Sequence, residues 1–76
     1  MVFDFSKLRG RIRECFGSEK AFAVAMAMSP SNLSARLNGK IQFGGEEIKR
    51  ASILLKIPDE EIGTYFFKQK FDFAEQ

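Results

Sequence analysis

The chain has no histidine, no tryptophan and a single cysteine, Cys15. Without histidine, neither a Ser/His nor a Cys/His nucleophile pair can be assembled. One cysteine forms no internal disulfide and, with no histidine to join it, makes no zinc site. No acid, base and nucleophile converge in the sequence, so it predicts no enzyme, no cofactor, no metal and no small-molecule substrate. Long apolar runs are also missing. The longest, residues 21–28, is short and rich in alanine, too short for a membrane span and unlike a signal peptide. A cytoplasmic protein with a reduced Cys15 and no membrane partner is expected.

What is present fits one small domain spanning residues 1–76. A chain of this size buries a limited share of its surface and gains from a partner subunit. Its nine phenylalanines make such a partner plausible. The net charge is +2, but residues 1–56 carry ten Lys/Arg against five Asp/Glu and residues 57–76 carry two against five. The front of the chain therefore suits an anion such as nucleic acid, although small proteins also show such imbalance by chance.

Capping residues and apolar spacing predict five helices. Asp4 is a candidate N-cap, with Phe3 and Leu8 spaced as a hydrophobic staple. Leu8, Ile12, Cys15 and Phe16 share one face of the first helix, so Cys15 is expected to be a small buried hydrophobe. Gly17 terminates that helix and Ser18 caps a second, from Glu19 to about Met26. After a break at residues 27–28, Ser29 caps a third helix with Pro30 at its first position and Leu33 and Leu37 buried. Asn38-Gly39 ends it. A fourth helix follows from about Glu46 to Leu55, and Pro58 opens a fifth whose acidic first turn suits the helix dipole. In the tail, Phe67, Gln69, Phe71 and Phe73 alternate with polar residues, which is the period of a short strand. The fold class is thus all-α, a compact five-helix domain, with a C-terminal β-strand as an option.

Helices two and three, about residues 18–38, have the pattern of a helix-turn-helix. Ala23 keeps the first helix slim where the second crosses, and Phe22, Met26, Met28 and Leu33 pin the pair to the domain. The outer face of helix three is small and polar at Ser31, Asn32, Ala35 and Arg36, as a major groove requires. The run 21–40, AFAVAMAMSPSNLSARLNGK, resembles the helix-turn-helix of lambdoid-type repressors and Cro proteins. It is closest to the small phage Cro-like regulators, whose third helix ends in Leu-Asn-Gly-Lys. The segments FDFSKLRGRI and IPDEEIGTYFF resemble that group as well.

The resemblance implies a lambda-repressor-like domain that binds a palindromic operator in double-stranded DNA as a homodimer. It would act as a transcriptional repressor in the cytoplasm of a bacterial host. Helix three would be the recognition helix, with Ser29, Ser31, Asn32, Ala35 and Arg36 towards the bases. Lys20, Asn38 and Lys40 would lie at the sugar-phosphate backbone. Each has a plainer reading. Arg36 could pair with a neighbouring acid, Asn32 could solvate the first turn, and Ser29 could serve only as a cap. The basic run Lys7, Arg9, Arg11, Arg13 is either a solvated face or a phosphate-steering one. Two departures from the family pattern stand out: Ala27 replaces the usual turn glycine, and Arg36 occupies a usual apolar position. Phe67, Phe71 and Phe73 are expected to form the dimer contact, some relatives pairing through a C-terminal strand; the other option folds them onto their own helices. A different class, an adaptor or antitoxin-like protein-interaction module, would expose apolar residues on helix three.

Overall fold

A computed structural model describes residues 3–69. Five helices follow one another: α1 (Ser6–Phe16), α2 (Glu19–Ala25), α3 (Pro30–Leu37), α4 (Gly45–Leu54) and α5 (Ile62–Phe66), the last preceded by a 3-10 turn at Asp59–Glu61. The all-α fold is therefore as the sequence predicts. No strand forms among the described residues. The chain around Gln69 makes one isolated antiparallel bridge with Phe3, and Asp4 N–H donates to the Lys68 carbonyl at 2.7 Å. On the helical side the reason is the shortness of the partner: the extended N-terminal segment gives way to α1 at Ser6, so no ladder extends in that direction. Phe71 and Phe73 lie outside the described residues.

Local chemistry sets the helix ends. Asp4 acts from one residue further out than a cap, its Oδ1 accepting from Ser6 N–H at 2.9 Å and from Ser6 O–H at 2.7 Å. Ser18 accepts from Ala21 N–H and Ser29 from Asn32 N–H, both at 3.1 Å, which satisfies orphan donors at the starts of α2 and α3. Gly17, at φ 84°, ends α1 with its N–H on the Arg13 carbonyl.

Among the described residues the core is a single cluster. Leu8 and Ile12 of α1, Phe22, Ala23 and Met26 of the second helical segment, and Leu33 and Leu37 of α3 meet Ala51, Leu55, Ile57 and Phe66. Helix α1 packs on α2 and α5, and α2 packs on α3. Phe43 bridges Phe5 and Phe66 edge-on, at ring separations of 5.6 and 5.3 Å. Cys15 departs from expectation, because it is exposed. Phe5, Leu8, Ile12 and Phe16 point towards a mean direction from which Cys15 is rotated by about 60° at 3.6 residues per turn. Its sulfur lies at the rim, 4.0 Å from the Leu55 carbonyl oxygen.

Candidate nucleic-acid interface

The turn between α2 and α3 is a Schellman motif. Ala27 N–H donates to the Val24 carbonyl and Met28 N–H to the Ala23 carbonyl, both at 3.0 Å. Ala27 takes the left-handed conformation this requires, with φ 59°. The missing glycine therefore does not reshape the turn; the alanine carries the strain instead. The same motif closes α3 at Gly39 (φ 80°), where Gly39 N–H reaches Arg36 O and Lys40 N–H reaches Ala35 O. It closes α4 at Lys56 (φ 55°), with donors to Ile53 O and Ser52 O. Each motif satisfies carbonyls that would otherwise be orphaned, which offsets the cost of the two non-glycine residues.

Beyond the turn, α3 buries Leu33 and Leu37 and turns its other side out. Ser29, Ser31 and Asn32 are exposed, and Ala35 is half-buried. Pro30, Ser31, Ser34, Ala35, Asn38 and Lys40 line a shallow open depression along this face. The outer face is accessible and free of large apolar side chains. Lys20 in the first turn of α2 and Lys40 after α3 are exposed and make no ion pair among the described residues. Asn38 is exposed but engaged: its Oδ1 accepts from Arg9 at 2.9 Å and its Nδ2 donates to Ser34 Oγ at 3.2 Å.

Arg36 sits at the flank of this face and points to α4. Its Nε donates to Glu47 Oε1 at 2.7 Å and its Nη2 to Glu47 Oε2 at 2.9 Å, while Nη1 donates to the Asn32 carbonyl at 2.9 Å. The two side chains are only 16% and 24% exposed. Glu47 Oε1 also accepts from Gly44 N–H at 2.9 Å, at the start of α4. The hydrogen bond from Arg36 holds the Glu47 carboxyl below its ordinary range, against an opposing effect of burial. The same contact raises the Arg36 pKa.

Other arginines take structural parts that sequence spacing does not reveal. Arg9 ties three elements together: its Nη1 donates to Glu19 at 2.7 Å, and its Nη2 to the Leu37 carbonyl and to Asn38. Arg50 Nη1 donates to the Met26 carbonyl at 3.0 Å, and Arg11 Nε to the Leu55 carbonyl at 2.9 Å. Both carbonyls lie at helix C-termini, where unpaired acceptors and the helix dipole favour a guanidinium. Arg9 and Arg11 of the N-terminal basic run thus serve internal bonds, and Lys7 lies over the Tyr65 ring at 4.9 Å. Phe67 is 50% exposed and meets the Phe3 ring edge-on at 5.8 Å.

These features define a small all-α domain in which α2 and α3 are joined by a tight Schellman turn, with the polar side of α3 exposed. Residues 1–69 match the family described as "Protein of unknown function (DUF739)", and the chain belongs to that family. It is also similar to the modulator of repression (MOR) of the temperate bacteriophage TP901-1 from Lactococcus lactis, known from a solution structure. The two are 36% identical, the match covers 95% of this chain and 97% of that one, and the TM-score is 0.80. No curated protein matches the chain.

Proposed function

We propose that the protein is a phage or prophage transcription regulator that binds duplex DNA through α3. The observation that carries this reading is the accessible, small and polar outer face of α3, set on a tight two-helix unit and flanked by Lys20 and Lys40. A major groove admits such a rod, and short polar side chains can reach base edges from it. Ser31, Asn32 and Ala35, with Ser29 at the helix start, are the base-facing set. Arg36 borders it. Lys20, Asn38 and Lys40 are the proposed phosphate-contacting set. The likeness to a phage modulator of repression supports a role in a phage regulatory circuit in a bacterial cytoplasm. Repression of a promoter follows if an occupied operator blocks polymerase.

A homodimer on a palindromic operator is part of the proposal, with Phe67, Phe71 and Phe73 at the contact. Exposed Phe67 beside Phe3 supports it. Removing residues 71–76 should then convert the dimer to monomers in sedimentation.

A second reading, a protein-interaction module, draws on α2. Its outer side exposes Val24 at 74%, with Ala21 and Ala25 exposed on the same helix. Selection of bound duplexes from a random pool separates the two. A two-fold symmetric motif with half-sites about ten base pairs apart supports the DNA reading. No enrichment, together with no gel shift at low salt, refutes it. Within the DNA reading, Lys40→Ala weakens all sequences alike and reduces the salt slope by about one.

A further inference from the structure

Arg36 is the only charged side chain on α3. On a helix that faces a polyanion, that one cation would be expected to set both affinity and base preference. Yet its Nε and Nη2 are spent on the two oxygens of Glu47, and its Nη1 on the Asn32 carbonyl. Glu47 is itself held in place, because Oε1 also accepts from Gly44 N–H and fixes the carboxylate in the first turn of α4. The other acid of that turn, Glu46, is exposed and makes no ion pair among the described residues.

We propose that Glu47 is a specificity-determining residue, a latch that holds Arg36 against α4 and keeps the single cation of the recognition helix out of the groove. The inference rests on the DNA-binding reading of α3. A guanine edge offers two neutral acceptors, O6 and N7, in place of a carboxylate already engaged in a partly buried, bidentate pair. Exchanging the charged acceptor for neutral ones is unfavourable, and the exchange would also strip the Glu47 carboxylate of both guanidinium hydrogen bonds beside the duplex. The pair therefore stays closed, and reading falls to Ser31, Asn32 and Ala35. Opening the latch releases a long cation that can reach phosphates or purine edges.

The test compares the full chain with Glu47→Gln, Glu46→Gln, Arg36→Met and the double variant Arg36→Met/Glu47→Gln. Each is titrated with a random-sequence duplex and with the selected duplex, from 50 to 200 mM salt. Thermal melts establish that each variant is folded. The latch predicts that Glu47→Gln binds roughly three- to tenfold tighter at 100 mM salt, with a salt slope steeper by about 0.9. Glu46→Gln should change binding less than twofold. The charge-neutral double variant should match the native chain in affinity and base preference, since neither presents Arg36.

If Glu47→Gln gains no more in the native background than in the Arg36→Met background, only charge removal is at work and the latch is overturned. A double variant that loses base preference makes Arg36 a reader and also overturns it; this comparison decides the matter if Glu47→Gln is unfolded. Native protein that ignores DNA while Glu47→Gln binds it sinks the DNA reading of the native chain and keeps the latch. If no variant binds, both fall.

Discussion

Ala27→Gly should stabilise the protein, and the size of the effect follows from the turn. Ala27 holds φ 59°, where an L-residue costs about 1–2 kcal/mol and glycine costs nothing. Glycine also gives the unfolded chain more freedom, which returns roughly 0.4–1 kcal/mol. Ala27 is exposed, so losing its methyl group removes no core packing. The net gain is about 0.5–1 kcal/mol. For a domain of this size that is a rise in Tm of about 2–8 °C. Gly39→Ala is the mirror experiment. A Cβ built there meets nothing within 4 Å, so only the backbone at φ 80° resists it. Its Tm should fall by a similar amount. Differential scanning calorimetry on the three proteins at one concentration reads both shifts. If Ala27→Gly lowers Tm, or Gly39→Ala leaves it unchanged, strain in these Schellman turns does not govern stability.

Acid titration should expose the Arg36–Glu47 pair. The Glu47 carboxyl lies below its ordinary value of 4.5 in the folded chain. Its contribution is therefore complete above about pH 4.5 and is lost as pH falls through the lowered folded value. Urea unfolding from pH 6 to 3 should decline less steeply in Glu47→Gln, and parallel curves would show the linkage to be wrong. Arg9→Met should cost about 1–3 kcal/mol in urea denaturation, because it strips bonds from Glu19, Asn38 and the Leu37 carbonyl at once. A loss under about 0.3 kcal/mol would reduce those contacts to surface decoration. Exposed Cys15 should react fully with a thiol reagent in the native state, and Cys15→Ser should shift stability by less than about 0.5 kcal/mol. A native thiol that reacts only on unfolding would return Cys15 to the core.

Much of the fold was legible because its signals are local. Ser18 and Ser29 cap the helices they were expected to cap, and Pro30 and Gly17 stand at a helix start and a helix end. The apolar pairs Leu8–Ile12 and Leu33–Leu37 pack inward as their spacing predicts. Spacing alone does not show that Cys15 is exposed, because the apolar stripe of a helix is wide and only the direction of the neighbouring helices says which edge of it is dry. The alternation of the tail makes a short strand an option; within the described residues it forms a single bridge, and Phe71 and Phe73 lie outside them.

Backbone propensity, capping and periodicity act within a few residues, so the chain alone determined five helices, a short connection between α2 and α3 and a polar outer side to α3. Where the arginines go was decided only in three dimensions. Arg9 reaches 29 residues along the chain to Asn38, Arg11 reaches 44 to Leu55, and Arg36 reaches 11 to Glu47. A guanidinium seeks whatever acceptor the packed helices bring within about 3 Å. That choice depends on how the helices meet, and no local pattern in the sequence encodes it.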